Sequence, residues 1–424
     1  MKNLLKFIFK NSNNINSKNL QFEKIKFEKG ASQIFDAIKE YSETSEVRYV
    51  GGCIRRILSN ENVDDIDLAT NLNPDEICKA LEKKKINFYK TGYLHGTITA
   101  NIGKINFEIT SLREDISTDG RRAVVKYSKD WNKDALRRDF TINAIYSDID
   151  GNIFDPTNGK KDLEDGNVKF IGNVEERIKE DYLRIVRYVR FFLNYSKYDH
   201  EQNVKKVIKK NIQGIKRLSN ERILNELKKI IKTKNFLKLL SDEFSKEILL
   251  LVIPQIVNLD VLKNIKKDRE ELFNSKDTLF IIALLIIDDT DNTDFFLFKF
   301  NLSNLEKKRI LFLKNHFIRL NDKSFFSEYN LLKIYYFYGI EYLIDLIDFK
   351  LLTSKIHNKK ISNIKNLIVK KNKPILPIKA KDLIEKFNLK EGKDLGLKMK
   401  KIEETWIDNK FKISDSEIAG IVRN

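Results

Sequence analysis

The chain has 424 residues, 42% hydrophobic and 33% charged, with a formal net charge of +18. That composition fits a soluble chain of two to four structural units, and the basic balance favours a polyanionic partner, RNA or DNA before membrane, unless it only reflects Lys-rich usage throughout. Two cysteines, Cys53 and Cys78, exclude a disulfide framework or a four-ligand zinc site, and the longest apolar run, Leu279 to Ile287, is about half of what a membrane-spanning helix needs.

The first segment, Met1 to Phe22, has no acidic residue and carries Leu4-Leu5-Lys6-Phe7-Ile8-Phe9. Its apolar part is too short and interrupted for a secretory signal. It reads as a basic extension, with a transit peptide as the alternative, and the expected location is cytoplasmic.

Short β-like runs follow at Val47 to Val50, Thr97 to Ile102, Ile105 to Thr110 and Ile142 to Tyr146. Turn signals such as Asp119-Gly120, Asp150-Gly151 and Asn158-Gly159 separate or flank them. Eleven of the sixteen glycines lie at or before Gly172. The pattern predicts an α+β domain ending near residue 150.

Four motifs within and just after this region carry chemistry. In Gly51-Gly52-Cys53-Ile54-Arg55, paired glycines allow a sharp turn and close approach to a ligand. The residues after them can form a helix opening toward an anion, with Arg55 adding a forked donor for phosphate oxygens. In Asp64-Asp65-Ile66-Asp67, residues 65 and 67 share one face if the segment is a strand. Two such carboxylates repel unless a cation lies between them, which suits one or two Mg²⁺ ions beside phosphate. The bland reading is an acidic turn. Glu108, alternating with apolar neighbours, is the candidate third acid or simply a solvent-facing strand residue. Arg137-Arg138-Asp139-Phe140-Thr141-Ile142-Asn143-Ala144 offers two phosphate-binding arginines and an acid for a ribose hydroxyl; alone it could be a surface ion pair.

After Gly172 the pattern turns helical. Ile178, Tyr182, Ile185, Val186, Val189 and Leu193 fall on one face and predict one continuous helix. It carries Glu180-Asp181-Tyr182-Leu183-Arg184, with Arg187 and Arg190 beyond. Asp181 and Arg184, three apart, would be surface neighbours able to read a base edge, or a plain salt bridge. Ile223 to Ile231 and Leu331 to Ile347 also have helical spacing. Gln202 to Asn220 and Phe349 to Lys381 lack acids and are lysine-rich, so each is either a phosphate track or a solvated face.

The four motifs, in this order from about Tyr49 to Phe192, resemble the class II tRNA nucleotidyltransferase and bacterial poly(A) polymerase family. A weaker match is Glu221-Arg222-Ile223-Leu224-Asn225-Glu226-Leu227, similar to the helix that supports the family's base-reading residues. The resemblance implies an α+β fold: a mixed-sheet nucleotidyltransferase head followed by an all-α neck, body and tail in a seahorse shape. The segments it implies are an extension over 1–30, a head over 31–150, a neck over 151–235, a body over 236–350 and a basic tail over 351–424.

It further implies a template-independent transferase adding C, C and A to tRNA from CTP and ATP, with Asp65 and Asp67 holding metal. Gly51, Gly52 and Arg55 would contact the triphosphate. Arg138 and Asp139 would contact the ribose region, with Arg137 nearby. Asp181 and Arg184 would read C or A, and Arg187 and Arg190 would assist. Arg56 departs from the pattern, which often has an acid there. No His-Asp phosphohydrolase motif is visible among the four histidines. The stretch Glu114 to Lys133 occupies the place of the flexible loop needed for the final A. Poly(A) polymerase and CC- or A-adding specialists are the alternatives. A catalytically dead RNA-binding relative and a small-molecule nucleotidyltransferase are further ones.

Overall fold

The computed structural model describes residues 22–28, 30–63, 65–118, 123–355 and 359–423. The basic extension therefore lies almost wholly outside the described residues. The chain divides into two compact units, one ending at Val252 and the other beginning at Ile253.

The first unit is built on a seven-stranded mixed sheet in the order β3-β4-β5-β2-β1-β8-β9. Its strands are β1 (Val47–Val50), β2 (Ile66–Thr70), β3 (Asn87–Gly92), β4 (Thr97–Ile102), β5 (Ile105–Ser111), β8 (Tyr146–Ser147) and β9 (Ile153–Phe154). The expected strands at 47–50, 97–102 and 105–110 are therefore present. A separate hairpin pairs β6 (Arg113–Thr118) with β7 (Ala123–Tyr127). Only β2 and β5 run parallel, and β2 sits in the interior of the sheet between β5 and β1.

One face of the sheet is covered by helices α1 (Ala31–Lys39), α2 (Gly52–Leu58) and α3 (Pro74–Lys83). Ile34, Phe35, Ile54, Ile57, Ile77 and Leu81 pack there on Tyr49, Ile66, Leu68, Phe107 and Ile109. Burying side chains of this size contributes roughly 1.5–3 kcal/mol each, which holds β2 in place. Helix α3 starts sharply because Asn73 and Glu76 form a capping box ahead of Pro74.

Helices complete the first unit: α4 (Trp131–Leu136), α5 (Gly159–Asp165), α6 (Val174–Glu180), α7 (Leu183–Tyr195), α8 (Gln202–Asn211), α9 (Asn220–Ile231) and α10 (Glu243–Val252). Helix α7 is pinned on its far side by Tyr188, whose hydroxyl lies 2.9 Å from His200 Nδ1, while His200 Nε2 lies 3.0 Å from Asp242.

Three expectations need correction. The run Ile142 to Tyr146 is not one strand: a 3₁₀ turn spans Thr141–Asn143, and only Tyr146–Ser147 joins the sheet. The Asn143 side chain bonds Asp139 and Arg55 instead of standing out from a ladder. The predicted helix from Ile178 to Leu193 is two helices, because Asp181 is extended (φ −150°, ψ 105°) and its carboxylate accepts the Leu183 N–H at 3.1 Å. Likewise, Leu331 to Ile347 breaks at Gly339, whose φ of +92° ends one helix and starts another.

The second unit is helical throughout its described elements, from Lys267–Asn274 to Asp415–Arg423. Thr278–Ile286 is its central helix, with every residue from Phe280 to Ile286 buried. A helix apolar on all sides belongs inside a core. Ile378, Leu383, Leu395, Ile402, Ile418 and Val422 form a separate small core near the C-terminus. Helix Ile340–Thr353 runs across residue 350, so the expected body and tail share an element there. Among the described residues no helix is long and apolar enough to cross a membrane.

Candidate active site

The interior strand β2 carries Asp67, with Asp65 just ahead of it. Parallel pairing sets Asp67 directly beside Glu108 on β5. Burial drives the Asp67 carboxyl up, to about 6, and Glu108 and Asp65 push in the same direction; Arg138 and Arg55 pull it back only in part. Among the described residues no basic side chain forms an ion pair with Asp65, Asp67 or Glu108.

No group of three or more His, Cys, Asp or Glu side chains is disposed as a ready metal cage among the described residues. Yet a buried carboxylate driven up by burial and by two neighbouring acids, with no ion-paired cation of the protein among the described residues, suits a divalent ion. Two carboxylates would leave the other coordination positions to phosphate oxygens and water. Gly52 keeps the approach open: a β-carbon there would stand 3.6 Å from Asp67 Oδ2.

Gly51 turns the chain into α2 with φ +65° and ψ −116°, a conformation for glycine alone, and its N–H donates to the Ile145 carbonyl at 3.2 Å. Arg55 follows one turn later and is buried. It donates to Asn143 Oδ1, and its guanidinium lies 4.7 Å from the Phe191 ring centre and 5.2 Å from that of Tyr195. Its Nε is buried without a hydrogen-bond partner.

The Arg137-Arg138-Asp139 run is held by a residue outside it. Asp134, on α4, is fully buried and accepts from Arg137 Nε at 2.8 Å, Arg138 Nη2 at 3.0 Å and the Tyr146 hydroxyl at 2.7 Å. Burial opposes its charge, but the two arginines and Tyr146 prevail and hold the carboxyl at about 2. Asp139 is equally engaged. Its Oδ1 accepts from the Phe140 N–H and Asn143 Nδ2, and its Oδ2 accepts from Arg187 at 2.7 and 2.6 Å. Those four bonds fill a carboxylate's acceptor sites. Asp139 therefore places Arg187, and the ribose contact expected of it is not what this geometry favours.

At the joint between α6 and α7, Asp181 and Arg184 do not pair with each other. Asp181 Oδ2 accepts from Arg222 at 2.7 Å, whereas Arg184 pairs with Glu180 and donates to the Arg177 carbonyl at 2.8 Å. Arg190 and Arg187 both meet Glu226, at 2.7 and 3.5 Å. Arg222 and Glu226 lie on α9, so that helix holds Asp181, Arg187 and Arg190, whereas Arg184 is held from α6.

Gly51, Gly52, Arg55, Asp67, Arg137, Arg138, Asp139, Asp181, Arg184, Arg187 and Arg190 all line one cavity of about 470 Å³. Asp65 and Glu108 do not line it and act on it through Asp67.

The family models agree with this layout. Residues 47–169 match the poly A polymerase head domain, and residues 198–257 match the probable RNA and SrmB-binding site of polymerase A. The human "CCA tRNA nucleotidyltransferase 1, mitochondrial" is 30% identical over 391 residues, 90% of this chain and 87% of that protein. The chain belongs to the CCA-adding tRNA nucleotidyltransferase family. A CCA-adding enzyme from Staphylococcus haemolyticus is 33% identical over 323 residues, covering 75% of each chain. Among solved structures, the Bacillus stearothermophilus CCA-adding enzyme in complex with CTP has the same fold, with a TM-score of 0.68 and 18% identity over 93% of this chain and 96% of that one.

Within this family site, sequence reasoning missed five wall residues: His95, Arg113, Asn143, Glu180 and Phe191. Asn143 and Glu180 stood inside quoted motifs and are polar residues next to predicted ligands, a usable signal. His95 and Arg113 are distant in sequence; Arg113 donates to the His95 carbonyl and begins the β6–β7 hairpin. That hairpin falls largely within the stretch Glu114 to Lys133, which was expected to form a flexible loop. Its Asp119-Gly120-Arg121-Arg122 part lies outside the described residues, and Lys133 pairs with Glu114 at 3.0 Å. Arg56 is not part of the cavity wall; its carbonyl accepts the Glu61 N–H at 2.8 Å.

The basic stretches are partly spent on the protein itself. Lys209 pairs with Glu247 and Lys210 with Glu175, whereas Lys206, Lys216 and Arg217 remain exposed. In the later stretch, Lys365 pairs with Asp348 and Lys371 with Glu328.

Proposed function

We propose that this protein adds C, C and A to the 3′ end of tRNA. The RNA 3′-hydroxyl attacks the α-phosphate of CTP or ATP, and pyrophosphate leaves. The observation that carries the reading is one cavity with a carboxylate strand at one end and a carboxylate-braced arginine cluster at the other.

Asp65 and Asp67 would hold the divalent cation, with Glu108 enforcing the demand for it. Mg²⁺, two ions in our reading, supplies charge neutralisation at the reacting phosphate when bound. Gly51 and Gly52 leave room for the triphosphate beside Asp67. Arg55, with its unpartnered buried Nε, donates to phosphate oxygens, and Arg137 and Arg138 add fixed charge. Asp181 keeps acceptor capacity beyond its bonds to Arg222 and Leu183, and Arg184 stands one turn on, so the pair can offer an acceptor and donors to a base edge. Arg187 and Arg190 face the nucleotide from the same helix. Exposed Lys206, Lys216 and Arg217 suit the phosphates of duplex RNA.

The expected compartment is the cytoplasm. The human and mouse relatives carry mitochondrial names, and cell fractionation decides between the two.

The function is tested with three tRNAs, ending before the first C, after the second C, and after A. CTP and ATP are offered separately and together, and products are sized on a gel. The first tRNA should gain three residues with both nucleotides, two with CTP alone and none with ATP alone; the second should gain one residue from ATP, and the third none. Stopping after CC, long A tails, or no incorporation would each overturn the proposal.

A further inference from the structure

Gly214 is a glycine for space, not for backbone freedom. It lies in the 3₁₀ turn Ile212–Arg217, and its φ is outside the left-handed region. A β-carbon built on it would fall inside the Tyr182 ring, against Cε1, Cδ1 and Cζ. The ring is thus seated flat on the bare backbone of that turn. Arg217, from the same turn, places its guanidinium 5.7 Å from the ring centre.

Tyr182 is the residue after Asp181 and sits at the break between α6 and α7. Its carbonyl accepts the Ile185 N–H at 3.1 Å, and its neighbour's carboxylate caps α7 through Leu183. The turn that seats the ring leads through Ser219, whose side chain caps α9, to Arg222, the partner of Asp181 at 2.7 Å. One turn therefore fixes Asp181 twice: through the ring of the next residue and through the arginine on its carboxylate.

Resting on the base-reading role proposed for Asp181, we infer that Tyr182 and Gly214 form a lock that positions this carboxylate and so sets nucleotide discrimination. They are positioning residues and touch no reacting atom. A methyl group on Gly214 has to drive the ring out or push the turn away, and either movement shifts Asp181 relative to Arg184. Misplacement on the order of 1 Å at such a site costs roughly tenfold to a hundredfold in selective turnover.

The test measures kcat/KM for CTP and for UTP on tRNA ending before the first C, together with tRNA binding. Wild type, Gly214→Ala, Tyr182→Ala, Tyr182→Phe and the Ala double variant are compared. Gly214→Ala should lower the CTP-over-UTP ratio about tenfold, a ratio taken on one tRNA so that any change in tRNA affinity cancels from it. Tyr182→Phe should restore what Tyr182→Ala loses, since the ring and not its hydroxyl makes the contact. The double variant should be no worse than Tyr182→Ala, because the added methyl then has nothing to displace. Should Gly214→Ala fail to fold, the Ala and Phe variants at Tyr182 decide the matter in the same way. A ratio equal to wild type in both Tyr182→Ala and a folded Gly214→Ala, or losses that simply multiply in the double variant, would overturn the lock. Wild type that does not prefer CTP over UTP would instead refute base reading itself.

Discussion

At the arginine end of the cavity, Asp134, Asp139, Glu180 and Glu226 each hold one or more arginines. At the other end, Glu108 and Asp65 add to the load on Asp67, with no basic side chain ion-paired to any of the three among the described residues. Burial acts on both ends alike, pushing carboxyls toward the neutral form. The outcome differs because of partners: Asp134 is held near 2 and Asp67 rises to about 6. The first end is finished by the protein, which fixes guanidinium directions before any ligand arrives. The second is left for a ligand of opposite charge to finish. Charge satisfaction, more than the count of acidic residues, separates a scaffold from a candidate metal site.

The largest effect expected on this contrast comes from Asp67→Asn. Incorporation of labelled CTP should fall by about 10³-fold or more, with tRNA binding and thermal stability kept, and Asp65→Ala should act in the same direction. Activity within tenfold of wild type would remove the acidic end from the chemistry. Asp134→Asn should do the reverse in kind. It touches no ligand, yet it strips a buried charge from Arg137 and Arg138, which should cost about 3 kcal/mol of stability and, through misplaced arginines, about a hundredfold in activity. Denaturant melts read alongside turnover would separate the two ends: activity without stability for Asp67, both together for Asp134.

The smallest effect is on pH. Asp67 has a raised pKa, so below about pH 6 the free site takes up a proton that a cation must displace. The half-saturating Mg²⁺ concentration should therefore climb as pH falls through 6 and level off above it. Asp134 has the opposite sign. Its folded pKa is depressed from 3.8 to about 2, so its stabilisation is complete above pH 4 and disappears as pH falls from about 4 to 2. Near neutrality its contribution should not change. A cation requirement flat from pH 5 to 8 would contradict the assignment of Asp67.

Much of this contrast was legible in the chain. The glycine turn, the Asp-x-Asp and the arginine motifs are local patterns, and β1, β4 and β5 follow from apolar alternation with clear turns. What escaped depends on partners distant in sequence. Asp134 precedes the arginine run and looks like an ordinary first-turn acid of a short helix until Tyr146 and both arginines close on it. The break at Asp181 was hidden because Tyr182 and Ile185 continue the apolar period across it. The signal was nevertheless there, since an Asp before Leu183-Arg184-Ile185 is a helix-start residue. The pairing of Asp181 with Arg222 cannot be read from spacing, whereas the i,i+4 pairing of Arg184 with Glu180 was open to reading and lost to the i,i+3 match with Asp181. His95 and Arg113 meet only through the sheet, and β3 has too little apolar alternation to be read as a strand.

The most direct measurement of the central claim is a thermal melt of wild type and Asp67→Asn, each with and without Mg²⁺ at neutral pH and in the absence of nucleotide. If the acidic end is completed by a cation, Mg²⁺ should raise the wild-type Tm as a ligand of the folded state does. It should leave the variant unmoved, and without the ion the variant should be at least as stable as wild type because a repulsion is gone. Equal Mg²⁺ shifts in both proteins, or a metal-free variant clearly less stable than wild type, would contradict the account.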